Sequence, residues 1–258
     1  MRDPLLLPVA TLWRREMVRF FRQRGRVLGS LLTPALFWLL FGSGYGSSFT
    51  PGGESNGALD FFLPGTALLI VLFTSIFANI SIIEDRREGF LQGVLVAPVP
   101  RLAIVLGKVL GGTTIAVLQA LLFLALATWA SPETAPIGFS ALAETTLVLT
   151  VLSIGVTALG FCFAWRLDSV QAFHGFMNLV LMPLWALSGA LFPAEGAAAP
   201  VRAMIRANPV GHGLDWLRVA LNPAAGGPAD GLTVLAPVIF AAAALLGAVA
   251  LARVTRSR

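Results

Sequence analysis

Apolar residues run through this chain in six long stretches, at about residues 27–45, 61–83, 102–129, 141–165, 170–192 and 232–251. A helical stretch of ~20 apolar residues matches the ~30 Å hydrocarbon thickness of a bilayer. Inside lipid, a single segment satisfies its own backbone only as a helix. The pattern therefore predicts an all-α integral membrane protein with six transmembrane helices. Polar breaks separate the stretches: a Gly/Ser/Pro-rich loop to Asn56, a loop at 131–138 containing Pro132 and Pro136, and a tight turn from Arg166 to Ser169. Two segments depart from the pattern. In residues 9–24, Trp13, Met17, Phe20 and Phe21 fall on one side and Arg15, Arg19 and Arg22 on another. That segregation predicts a helix lying on the membrane surface, its arginines among lipid phosphates. Residues 193–230 are rich in Pro and Gly and hold two short helical patterns, near 200–207 and 212–221, the second with Leu214, Leu217 and Leu221 on one face.

The densest charged interruption lies between the second and third stretches. Glu84, Asp85, Arg86, Arg87 and Glu88 stand together, Gly89 follows, and Phe90, Leu91, Val94 and Leu95 then recur at helical spacing until Pro98 and Pro100. A solvated loop would leave these four apolar side chains in water, so they call for an interface or a partner's groove. The expectation is a short docking helix over residues 84–97, with Arg101 and Lys108 flanking the next span.

Composition sharpens the picture. Of 258 residues, 57% are hydrophobic and 12% charged, and the mean hydropathy is +0.82. A soluble domain carries about a quarter charged residues, so one or two aqueous cores are excluded. The net charge of +5 reports topology rather than a nucleic-acid partner. With the N-terminus inside, fifteen of the 18 Lys and Arg residues fall on cytoplasmic segments, leaving Arg202, Arg206 and Arg218 outside. Both termini and the 84–97 helix are then cytoplasmic, and 193–230 is external. No cleavable signal peptide is expected. Cys162, the single cysteine, excludes an internal disulfide.

Candidate chemistry is sparse. Gly107-Lys108 is followed by Val109, so no P-loop exists to cradle ATP, and His174 and His212 are expected on opposite sides of the membrane, which argues against a metal site. No catalytic residues are expected. Polar residues within spans remain: Ser75 and Asn79 on the second, and Gln171, His174 and Asn178 on the fifth. In lipid such groups point at protein or at a water-filled path. For each residue alone, interhelical hydrogen bonding is the simpler reading, whereas the two faces together favour a substrate path. Glu144 is expected at the outer end of the fourth span with a topological role, and Gly155 and Gly160 are expected to permit close helix packing.

Glu84-Asp85-Arg86-Arg87-Glu88-Gly89, Leu95-Val96-Ala97-Pro98 and Gly107-Lys108, with Leu187-Ser188-Gly189-Ala190-Leu191-Phe192-Pro193 and Asn208-Pro209 further on, resemble the ABC-2 family of ABC-transporter permeases. The resemblance covers essentially the whole chain. It implies a half-transporter that pairs with a second permease chain, a homodimer being expected, and with two copies of a separate P-loop ATP-binding subunit. ATP and Mg would sit on that partner, with no cofactor on this chain. Residues 9–24 would be the interfacial connecting helix, and residues 84–97 the coupling helix seated in the ATPase. Its contact residues would be Glu84, Asp85, Arg86, Arg87, Glu88, Gly89, Phe90, Leu91, Val94 and Leu95. The short helices of 193–230 would be external and re-entrant, and the second and fifth spans would line the path. The implied function is export of an amphiphile (drug-like molecule, lipid or glycolipid) across the inner membrane. An ion-coupled secondary transporter and a non-transporting membrane assembly protein are the alternatives.

Overall fold

The computed structural model describes residues 5–45, 58–130, 138–191, 197–222 and 229–254. The loops expected around 46–57 and 131–137, and Arg256 and Arg258 of the basic tail, lie outside the described residues. Helices follow in the order α1 Leu6–Arg22, α2 Arg24–Tyr45, α3 Ala58–Arg87, α4 Phe90–Val96, α5 Arg101–Ala130, α6 Phe139–Ala164, α7 Val170–Trp185, α8 Ala199–Ala207, α9 Pro209–Leu221 and α10 Gly231–Val254. No strand occurs among the described residues. Six helical segments are long and apolar enough to cross a membrane: α2, α3, α5, α6, α7 with its C-terminal extension, and α10.

The core forms around α3, which is apolar on every side and touches α2, α5, α6, α7 and α9. Ala67, Leu68, Ile70, Val71, Ile82 and Ile83 are all wholly buried. A helix hydrophobic all round must be surrounded by other helices. By contrast α2, α7 and α10 leave most of their apolar surface outside the bundle, including Leu32, Leu40, Leu179, Ile239 and Leu246. At 30 residues each, α3 and α5 span ~45 Å, which exceeds the ~30 Å hydrocarbon layer. The excess carries the charged turns of both helices to one edge of the bundle, hereafter the charged end.

Two breaks shape the remainder. At Gly89 the chain takes φ +78, a left-handed conformation that glycine adopts at no steric cost. The break leaves Glu84–Arg87 as the last turn of α3 and makes α4 only the seven residues Phe90–Val96. At the opposite end, hereafter the far end, α7 loosens into a π-turn over Ala186–Ala190, with Gly189 at φ +85. Asn208 closes this end. Its carboxamide oxygen accepts from Val210 N at 3.0 Å, capping α9, while Nδ2 donates to the carbonyls of Leu184 (2.6 Å) and Leu187 (3.0 Å). The π-turn strands carbonyls that a regular helix would satisfy, and Asn208 supplies the donors. Pro209 at the first helical position needs no donor partner, because that N–H would have none. Arg218 adds a hydrogen bond to the Gly189 carbonyl at 2.7 Å. Glu144 has a structural role here, beyond the topological one expected of it: Oε1 accepts from Trp216 Nε1 at 2.9 Å and ties α9 to α6.

Candidate functional site

At the charged end, α1 lies across α5. Gly107 and Gly111, one turn apart on α5, form the contact floor. A Cβ on Gly107 would come within 2.6 Å of Leu12 Cβ, and one on Gly111 within 2.8 Å of Glu16 Cβ. Small residues four apart let two backbones approach this closely. Val9, Leu12, Glu16 and Phe20 are the face that α1 buries.

That approach delivers Glu16 to Lys108. The ammonium donates to Glu16 Oε1 at 2.5 Å, to Asp85 Oδ2 at 2.5 Å and to Ser81 Oγ at 3.0 Å. All three of its N–H groups are used. Ser81 in turn donates to Glu16 Oε2 at 2.7 Å. Asp85 is fully buried, and Glu16 and Lys108 are each 5% exposed. Arg15 grips both oxygens of Asp85, at 2.6 and 2.8 Å, and Arg19 bridges Asp85 (2.6 Å) and Glu84 (2.8 Å). Three acids and three bases thus neutralise one another across α1, α3 and α5. Partial burial pulls the Arg15 guanidinium down, but its hydrogen bonds and charge pairing with Asp85 outweigh this and hold it above its ordinary range. Arg15 and Arg19 therefore face protein, where the sequence pattern had placed them among lipid phosphates. The exposed surface of α1 carries Leu6, Leu7, Val18 and Phe21, with Arg14 and Arg22.

Arg86 points the other way. It donates to the carbonyls of Trp165 (2.5 Å), Leu167 (3.2 Å) and Ala164 (3.4 Å) and to Asp168 Oδ1 (3.0 Å), and Arg87 Nε donates to the Asp168 carbonyl at 3.1 Å. A cation over the last carbonyls of α6 satisfies orphan acceptors and opposes the helix dipole. We expect Arg86→Gln to speed hydrogen exchange in the α6–α7 turn and to cost about 1–2 kcal/mol. Unchanged exchange there would discount the cap.

The apolar stripe of α4 is used mainly within the chain. Leu91 is buried, Val94 and Leu95 pack against the bundle core, and the Arg15 guanidinium lies 3.7 Å above the Phe90 ring. Glu88, Phe90, Gln92, Gly93 and Val96 are what α4 and its approach turn outward, Val96 being 87% exposed.

The two polar span faces do not meet. Ser75 and Asn79 are buried between α3 and α6. Ser75 Oγ lies 3.1 Å from Ser153 Oγ, and Asn79 Nδ2 donates to the carbonyls of Ser75 (2.8 Å) and Thr157 (3.1 Å). Gln171 and Asn178 are exposed on α7, Asn178 lining a small pocket against Leu69, Leu72 and Phe73 of α3, and His174 sits edge-on to Phe77, with centroids 5.8 Å apart. What does open beside α3 is a cleft of ≈ 420 Å³ between α2 and α7, walled by Gly29, Thr33 and Pro34, by Phe73, Phe77 and Ile80, and by His174, with Glu84 at its charged end.

Sequence reasoning missed the Glu16–Lys108 pair and the role of Asn208. Glu16 gave a signal, as the lone acid among the arginines of α1. Lys108 gave another, sitting seven residues inside an apolar helix that begins at Arg101.

The comparisons with known proteins follow the same lines. Residues 8–222, from α1 through α9, match the family described as ABC-2 type transporter. The chain is 24% identical over 217 residues to the daunorubicin resistance ABC transporter permease protein DrrB1 of Streptomyces coeruleorubidus, covering 83% of this chain and 75% of that one. It is 27% identical over 230 residues to nodulation protein J of Neorhizobium galegae, covering 84% and 82%. To the inner membrane transport permease YadH of Escherichia coli (strain K12) it is 29% identical over 189 residues, 70% of each. With six apolar helices and a family match over most of its length, this multi-pass membrane protein belongs to the ABC-2 type transporter family.

Proposed function

We propose that this chain is the permease half of an ATP-driven exporter of amphiphiles in the inner membrane, with both termini cytoplasmic. Its partners would be a second copy of itself and two separate P-loop ATP-binding subunits. The observation that carries the reading is the charge joint: a buried, mutually neutral cluster that fastens the N-terminal helix and the start of α5 to the same turn of α3. A joint of this kind makes α1, α3 and α5 move together, so force applied at the charged end reaches the middle of the bundle. Domain-scale switching needs such rigid bodies with a few points of give. The break at Gly89 supplies one.

ATP binding would close the two partner subunits and press on α4 and the turn before it. Glu88, Phe90, Gln92 and Val96 are the exposed side chains that would touch a partner. Asp85 and Leu91 act from inside, holding α3 and α4 in place. The amphiphile would enter the α2–α7 cleft, where Phe73 and Phe77 offer apolar surface and His174 and Thr33 offer polar contacts. Ser75 and Asn79 then serve as the rigid back of the same helix. The exposed amides of Gln171 and Asn178 are costly against lipid, which supports α7 facing the second copy or a shared aqueous path.

The test is purification of the tagged chain from native membranes, with assays of ATP hydrolysis and of transport in vesicles. A near-stoichiometric ATP-binding chain should accompany it. Val96→Asp with Gln92→Arg should abolish substrate-stimulated hydrolysis while leaving the permease folded, since both side chains point away from the bundle. Full transport by that variant would end the docking assignment. Recovery of the chain alone, with no hydrolysis, would move the reading to an ion-coupled transporter.

A further inference from the structure

At the far end a second hollow opens, ≈ 620 Å³, between the α8–α9 junction and the first turns of α10. Its lining is apolar: Ala207 and Pro209 form one wall, and Leu232, Leu235, Ala236 and Ile239 rise along the other. It opens on the outer side of α10, where Leu232, Leu235 and Ile239 are exposed, so its mouth faces the surrounding lipid of a membrane-spanning bundle. A charged residue stands next to each wall in sequence. Arg206 directly precedes Ala207, and Asp230 directly precedes Gly231, which also lines the hollow. Both side chains are exposed. Neither is engaged by a described ion pair or side-chain hydrogen bond. Other described charges at this end are engaged: Asp215 with Arg218, Glu144 with Trp216, and Arg202 with the Ala197 carbonyl.

We propose that this hollow is a binding site for one membrane phospholipid whose head group carries both a phosphate and a primary amine. One acyl chain lies against Leu232, Leu235 and Ile239. The phosphate meets Arg206, whose planar fork suits it, and the ammonium meets Asp230. Charge complementarity selects this occupant: an anionic lipid without an amine satisfies only the arginine, and a quaternary amine cannot donate a hydrogen bond to the aspartate. A bound lipid would bridge α8 to α10 and fill a hollow that the described side chains leave open. The site lies at the opposite end from the charge joint and does not depend on the transport reading.

Native mass spectrometry of the purified full chain in detergent tests this, with phosphatidylethanolamine, phosphatidylglycerol and phosphatidylcholine offered in competition. One equivalent of phosphatidylethanolamine should be retained preferentially. Asp230→Asn should remove the preference over phosphatidylglycerol. Arg206→Gln should weaken retention of both phosphatidylethanolamine and phosphatidylglycerol about tenfold, as expected for one lost charge-assisted contact. Ala236→Trp, which fills the hollow and leaves both charges, should exclude all three lipids while the protein keeps its elution profile. Equal retention of the three lipids, or a phosphatidylethanolamine preference indifferent to Asp230→Asn and Ala236→Trp, would overturn the assignment and leave only annular lipid.

Discussion

Replacing Lys108 with methionine is expected to destabilise the protein by roughly 3–5 kcal/mol, because it strips the shared cation from two buried carboxylates. Asp85 keeps Arg15 and Arg19, but Glu16 keeps only Ser81 and a longer 3.7 Å approach from Arg15. The magnitude comes from the asymmetry of buried ion pairs. Forming one against desolvation gains little, whereas breaking one strands a charge where water cannot reach it. The double variant E16Q/K108M tests this cause directly. It restores neutrality, with Arg15 and Arg19 against Asp85 and Glu84, so it should recover at least half of the loss. Chemical unfolding in mixed micelles gives both values. A single variant close to wild type, or a double variant no better than the single, would mean that Lys108 is not the hub of the joint.

The second large effect is expected at Asn208. Asn208→Leu removes the cap of α9 and both donors to the π-turn carbonyls, in a position that is 7% exposed. Losing the cap costs about 1 kcal/mol, and a buried carbonyl left without a donor costs about 1–3 kcal/mol. A total of roughly 2–4 kcal/mol is expected, after partial relaxation. Asn208→Ser keeps a capping oxygen but is too short to serve both carbonyls, so it should fall between. The loss should be local: hydrogen exchange should accelerate in α9 and the π-turn while α1 and α5 stay protected. Uniform acceleration through the bundle would assign Asn208 a global role and remove the argument from the cap.

Long helices were the legible part of this sequence, since an apolar run of spanning length bounded by charge has one physical solution in lipid. The docking of those helices was less legible. On α3, Ser75 and Asn79 repeat with helical spacing, and so do Phe73, Phe77 and Ile80. Spacing identifies a face without naming the neighbour. Because α3 is surrounded, its polar residues went to α6 and its aromatic residues to the cleft. The charge cluster was legible as important and illegible in direction. Five adjacent charges look like a solvated surface, yet Asp85 turns fully inward, because α1, distant in sequence, brings two arginines and α5 brings a lysine. Gly89 explains the rest. A left-handed residue splits what reads as one segment, so Glu84–Arg87 finish α3 and only Phe90–Val96 form the short helix. Asn208-Pro209 was recognisable as a motif, but its purpose depends on a π-turn, which leaves no periodic trace.

The cancellation of charge within the joint has an electrical consequence. A single elementary charge moved through the full potential of an energised membrane exchanges about 2.3 kcal/mol per 100 mV. Glu16, Glu84 and Asp85 travel with Arg15, Arg19 and Lys108, so in a rigid displacement these six groups together carry no net charge through the field. Voltage would then act on such a movement only through the charges in and next to the three helices that stand outside the six, such as Arg86, Arg87 and Glu88.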